Sequence, residues 1–333
     1  MKRYATSLAA MCCLVAMSSM AQTPYKVVAQ WKIGGTGGWD YLLADGPAHR
    51  LYITHNSRVE VVDTATGKPV GAVTGLKSTH GIALDPDGKT GYISDGAGNA
   101  VVIFDRTSLA ILATIPAGTN PDGIAYEPTT KTVWAFNGRS NNISVIDPAK
   151  KTVLATIALP GKPEFPQVDG KGAVFVNIED KNSIVKLDAS AKKAVETWSL
   201  PGCESPSGMA MDTTHGHLFS VCDGDKMAVT DAKTGKQIAL ASIGAGPDAA
   251  GYDAKNQLAF SSNGETGTLS VVDAAHGYKT VQTLATKKGA RTMAYDAATN
   301  RIYLMTAEYG APAAGSKRPS VLPDTATVLV VGK

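Results

Sequence analysis

Cysteine is scarce in this chain, with four residues in 333, and two of them, Cys12 and Cys13, fall in the N-terminal segment. The remaining pair, Cys203 and Cys222, has no CxxC spacing and no second pair beside it, which excludes a thioredoxin-like redox motif and a cysteine zinc site. Beyond residue 21 no stretch approaches the roughly 20 consecutive apolar residues of a spanning helix, so no membrane span is expected. Charge is also thin, at 18% of residues, and Lys and Arg are scattered rather than clustered, so no nucleic-acid partner is expected. The chain has no GxSxG, no HExxH and no glycine-rich nucleotide loop opening a helix, which removes the local signatures of the common hydrolases and nucleotide enzymes. No linker, charge block or low-complexity tract divides it, although it is about twice the usual domain length.

What is present begins with a leader. Lys2 and Arg3 precede an apolar run from Leu8 to Met17 and a small-residue end at Ser19-Met20-Ala21, the pattern of a secretory signal peptide over residues 1–21, cleaved after Ala21. Cys12 lies too early, and lacks the preceding small residue, for a lipidation site. A periplasmic or secreted protein follows, its single domain covering residues 22–333, and the net charge of +3 falls to about +1 once the two leader cations are gone. In that oxidising compartment Cys203 and Cys222 are expected to form a disulfide worth roughly 3 kcal/mol.

Repetition accounts for the length. Aspartates recur at Asp63, Asp105, Asp147, Asp188, Asp231 and Asp273, at spacings of 42, 42, 41, 43 and 42, each closing an alternating apolar stretch such as Val59-Glu60-Val61-Val62. A second series, Asp45, Asp85, Glu127, Asp169, Asp212, Asp253 and Asp296, follows segments like Gly81-Ile82-Ala83-Leu84 and raises the count to seven units. Four short strands are expected per unit, for example Gly81 to Leu84, Thr90 to Ser94, Ala100 to Phe104 and Leu109 to Ile115. Four strands at a period of about 42 make one blade, so the fold expected is an all-β, seven-bladed β-propeller of four-stranded blades. Lys26 to Ile33 reads as an outermost strand and Thr325 to Val331 as a third strand, so the N-terminal strand should complete the last blade and leave no open edge.

The segments Leu51-Tyr52-Ile53-Thr54-His55-Asn56, Gly91-Tyr92-Ile93-Ser94-Asp95-Gly96 and Val133-Trp134-Ala135-Phe136-Asn137-Gly138 look like degenerate copies of a Tyr-Val-Thr-Asn repeat. On these, nearly the whole mature chain resembles the YVTN-repeat, YncE-like β-propellers. The resemblance implies the propeller fold and an exported binding or surface protein; it implies no catalytic residue.

The repeated strand-ending aspartates are expected to shape turns by accepting local backbone N–H bonds. A different set carries the functional reading. Five residues before each member of the second series, where the innermost strand begins, stand Asp40, His80, Asp122, Glu164, Ser207, Asp248 and Arg291, which should ring one mouth of the central channel. Acids held this close disfavour joint ionisation unless a cation or donor neutralises them; the alternative is a rim satisfied by water and neighbouring loops. Loops between second and third strands should open on the same face, bringing His55, Asn56, Asp95, Asn137, Arg139, Glu179, Asp223, Asn263 and Glu265. In the seventh unit this connection lengthens through Thr306-Ala307-Glu308-Tyr309-Gly310-Ala311-Pro312 and a Gly, Ser, Lys, Arg and Pro tract, either a lid contacting ligand through Tyr309 and Arg318 or a tolerated insertion. His55 with His80 offers an imidazole and carboxylate set for a divalent metal ion, whereas His215-Gly216-His217 falls in a turn on the opposite face without a third ligand. The function expected is an exported binding protein holding a small molecule, metal ion or protein segment at the channel mouth. A metal-dependent lactonase-like or lyase-like enzyme using the same mouth, and a purely structural interaction module, are the alternatives.

Overall fold

Short alternating apolar stretches punctuated by Asp- and Gly-rich turns pair with their sequence neighbours, since a tight turn brings the next strand back antiparallel. The computed structural model, which describes residues 23–312 and 319–333, contains seven four-stranded antiparallel sheets arranged as blades. The second blade is typical, with strands Thr79–Leu84, Thr90–Asp95, Ala100–Asp105 and Ile111–Pro116 running from the axis outward. Its outer strand starts two residues later than the sequence pattern suggests, because Leu109 takes a positive φ of 61° and donates its N–H to the Asp105 carbonyl at 2.8 Å.

The seven innermost strands pack each on the next and the last on the first, so the ring is closed. Closure uses the chain ends as the sequence pattern predicts. Lys26–Lys32 pairs antiparallel with Thr327–Gly332, which pairs with Arg301–Thr306, giving a last blade assembled from both termini.

Burial follows the blade contacts. Seven apolar clusters are found among the described residues, one between each pair of neighbouring blades. Between the first and second blades Tyr52 and Val61 meet Ile93 and Phe104, and between the seventh and first Tyr303 and Met305 meet Leu51 and Ile53. The turn aspartates serve the scaffold. Asp63 accepts the Thr66 N–H at 2.7 Å, Asp105 that of Ser108 at 2.7 Å and Asp231 that of Thr234 at 2.7 Å, and these bonds hold all three carboxyls below the usual range.

Two features depart from the repeat. The lengthened connection of the seventh unit is a two-stranded ribbon, Tyr309–Pro312 against Pro319–Val321, rather than an irregular loop. The fifth innermost strand is cut to Met209–Asp212, and the irregular segment before it is tied by the disulfide Cys203–Cys222, whose Cα atoms lie 5.3 Å apart. No helix among the described residues is long and apolar enough to cross a membrane. The signal peptide expected over residues 1–21 lies outside the described residues.

Candidate functional site at the channel mouth

Trp39 pairs with His55, Pro121 with Asn137 and Pro247 with Asn263, so each innermost strand begins at the end of the molecule where the second strand runs into its loop. In six of the seven blades the pairing slips at this point, between Trp39 and Leu42, Thr79 and Ile82, Pro121 and Ile124, Glu164 and Pro166, Pro247 and Ala249, and Arg291 and Met293. A β-bulge bends the strand and re-aims its side chains. Here it sits at the ring residue every time. Close approach of neighbouring strands enforces small residues just below: a Cβ on Gly208 would fall 2.6 Å from the backbone of Asp248 and Ala249.

The bulges bring the ring residues of adjacent blades together. His80 Nδ1 lies 2.6 Å from Asp40 Oδ2 and 3.9 Å from Asp122 Oδ1. Lys162 Nζ lies 2.8 Å from Glu164 Oε1 and also binds Glu179. Arg291 Nη1 lies 3.5 Å from Asp248 Oδ1, and the Ser207 hydroxyl donates to the Asp248 carbonyl at 3.0 Å. His80 is fixed by its neighbour on the other side, since a Cβ on Gly96 would fall 2.5 Å from its Cδ2 and Nε2. One ligand atom each from Asp40, His80 and Asp122 lie within 4.8 Å of one another, the one such group among the described residues.

Desolvation dominates the electrostatics. Burial, with the fields of Glu164 and Asp40, pushes the Asp122 carboxyl well above its usual range against the pull of His80 and Lys162. Burial also lifts Glu164 to about 7, although Lys162 opposes it, and raises Asp248 despite Arg291. Burial alone would lower His80, but its hydrogen bond to Asp40 and the Asp122, Asp40 and Glu164 charges push it up to about 9. Asp122 is only 9% exposed and its carboxylate accepts no hydrogen bond among the described residues, while Asp248 Oδ2 is buried without a partner among them. A buried polar atom is ordinarily satisfied, so Asp248 Oδ2 is an exception at this mouth.

Tyr41 and Phe165 were not legible as site residues, yet they floor the mouth. Each follows a ring residue, and their rings stack across the channel with centroids 4.2 Å apart. The buried Tyr41 hydroxyl has no well-aligned hydrogen-bond partner among the described residues; desolvation and the charges of Asp122, Glu164 and Asp40 raise its phenol well above the usual value against a weaker pull from the Phe165 backbone. Below them lies a cavity of about 330 Å³ lined by Leu43, Met209, Ala250 and Met293 among others. A signal was available: the residue after the ring position is Gly81, Gly123, Gly208, Ala249 or Thr292 in the other five units. Two aromatics among five small residues stand out.

The loop residues divide. His55 does not join His80: it is 1% exposed, its Nδ1 is 3.7 Å from Glu60 Oε1, and Glu60 is held by Arg58 Nε at 2.6 Å. Strand alternation is the reason, because residue 55 shares a face with Leu51 and Ile53, which pack toward the seventh blade. Asn137 is buried and donates to Asn142 Oδ1 at 2.7 Å and Ser144 at 3.1 Å, as Asn263 does to Thr268 and Ser270, so both brace their own blades. Arg139 is exposed on its loop. Tyr309 is 38% exposed and donates to the Gly289 carbonyl at 3.4 Å; burial raises its phenol while Arg291 opposes the rise. Arg318 lies outside the described residues. At the opposite end His215 bonds Asp212 at 2.6 Å and His217 meets the Tyr278 hydroxyl at 3.1 Å.

Comparison with models of known families gives no match, and comparison with curated protein sequences gives none. Solved structures do resemble the chain. A chain of Kuenenia stuttgartiensis hydrazine synthase superposes with a TM-score of 0.73 at 16% identity, covering 81% of this chain and 92% of that one. U3-55K superposes with a TM-score of 0.74 at 8% identity, covering 89% and 95%. Likeness at such low identity speaks for architecture and not for activity: with its seven four-stranded blades in a ring, the protein is a seven-bladed β-propeller.

Proposed function

We propose that this protein is an exported binding propeller whose channel mouth receives a cationic ligand. The observation that supports the reading best is the Asp122 carboxylate, its side chain 12% exposed, without a hydrogen bond among the described residues, and in the field of Asp40 and Glu164. Four carboxylates share the cations His80, Lys162 and Arg291, and Lys162 is divided between Glu164 and Glu179. Negative potential extends to the rim, where burial and the charges of Glu179, Glu265, Glu204 and Asp225 raise Asp223. A ligand bearing positive charge relieves this repulsion and offsets the desolvation of the acids. Export rests on the leader at residues 1–21, and the resemblance to YVTN-repeat, YncE-like propellers supports the same reading.

Calorimetric titration of purified protein with calcium, zinc and spermidine, beside native mass spectrometry of the material as isolated, tests the proposal. The wild type should bind at least one of these, and the pair D122N and D248N should abolish binding with melting unchanged or raised. Equal loss in the turn variants D105N and D147N, or no binding by wild type, would sink the reading. N-terminal sequencing of exported protein should begin at Gln22.

A further inference from the structure

Resting on that reading, we infer that the mouth is a metal centre, in which Asp40, His80 and Asp122 hold a divalent first-row transition ion above the hydroxyl of Tyr41. Three elements converge to build it. Asp40, His80 and Asp122 come from the first, second and third innermost strands, and the bulge in each carries its side chain over the channel. Gly96 keeps the Nε2 side of the His80 ring against its own blade, which leaves Nδ1 facing both carboxylates.

The ligand atoms lie within 4.8 Å of one another, a spread that a single ion with bonds near 2.0–2.2 Å can gather with small rotamer shifts. The 2.6 Å contact between His80 and Asp40 is a hydrogen bond and is shorter than the separation of two ligands on one ion. The ion therefore replaces the shared proton, which leaves to solvent, and the two side chains move slightly apart. Acidic residues alone would not specify a metal. Two further observations point to a partner: the Asp122 carboxylate, in a residue 9% exposed, accepts no hydrogen bond among the described residues, and the Tyr41 hydroxyl is buried, has no aligned partner among them and feels the charges of Asp122, Glu164 and Asp40. Donor chemistry selects the class. An imidazole nitrogen favours zinc, copper, iron or nickel over calcium and magnesium, which prefer oxygen alone.

The test uses purified protein stripped with a chelator and titrated separately with zinc, calcium and spermidine. Zinc should bind at one equivalent and at least about tenfold tighter than calcium. H80Q should weaken zinc by at least about 100-fold, since loss of a mere supporting contact already costs ten- to a hundredfold, while leaving calcium or spermidine binding in place. Crystals soaked in zinc make the test independent of how H80Q folds: an anomalous peak bonded to His80 Nδ1 and the Asp40 and Asp122 carboxylates is the expected result. Calcium binding as tight as zinc, zinc affinity unchanged in H80Q, or a peak elsewhere overturns the metal centre and leaves the cation reading standing. Failure of all three probes to bind overturns both.

Discussion

Each innermost strand begins and ends beside charged or polar side chains, and the two ends of the same seven strands treat their acids in opposite ways. At the lower end all seven acids of the second series accept local bonds. Glu127 takes the Thr130 N–H at 2.7 Å, Asp169 that of Lys171 at 2.7 Å, and Asp253 that of Lys255 at 3.0 Å. Asp212 takes the Tyr252 hydroxyl at 2.7 Å, and Asp45 meets Arg106. At the mouth the partners come from other mouth side chains, His80 for Asp40, Lys162 for Glu164 and Arg291 for Asp248, and the Asp122 carboxylate accepts no bond among the described residues. Burial pushes Glu127 and Asp212 upward, yet their hydrogen bonds win and both end below the usual range, whereas Asp122, Glu164 and Asp248 end above it. The difference teaches that satisfaction, and not burial, separates a scaffold acid from a site acid.

The comparison breaks most visibly at Asp212. Replacing it with Ala strands the Tyr252 hydroxyl and two backbone N–H groups, and chemical denaturation should show a loss of roughly 3 kcal/mol with cation binding intact. A second, smaller effect comes from pH. The His80 imidazole titrates at about 9 in the folded protein against an ordinary 6.5, and Glu164 at about 7 against 4.5. Both therefore bind more protons folded than unfolded, so their contributions are full below the ordinary values and lost as pH rises through the folded ones; Asp122 acts in the same direction. Between pH 5 and 6.5 the cation-free protein should lose about 2 kcal/mol, a tenfold change in proton affinity being worth about 1.4 kcal/mol, and saturating cation should flatten the curve. Glu127 and Asp212 have the opposite sign, their contribution being lost only as pH falls through the carboxylate range. Smaller still, D122N should gain roughly 1 kcal/mol at pH 8 by removing a desolvated charge while weakening cation binding; a loss like that of Asp212 would merge the two ends. The smallest change belongs to D105N, whose exposed turn should leave both melting and binding close to wild type.

The blade count, the strand order and the closure of the ring were readable because two residue series keep one period through the chain. The ring positions were readable for the same reason, by counting five residues back from each acid. Tyr41 and Phe165 were hidden because the bulge suspends alternation and lets two successive residues, Asp40 with Tyr41 and Glu164 with Phe165, face the channel. His55 misled because proximity along the repeat does not say which side of a blade a residue faces; its parity with Leu51 and Ile53 does. The ribbon of the seventh blade appeared only as extra length, since Tyr309 pairs with Val321 across residues that share no repeat pattern.

Closure from both termini also sets an order in time. Lys26–Lys32 is made about 300 residues before its partner Thr327–Gly332, roughly 15 to 60 s earlier at 5–20 residues per second. Throughout that interval an alternating strand, Lys-Val-Val-Ala-Gln-Trp-Lys, waits without its partner. The lysines at its two ends are the kind of residue that keeps such a strand from pairing with another chain. The last blade is thus a clasp that cannot be fastened until the whole ring exists, and a nascent or truncated chain is one in which the clasp hangs open.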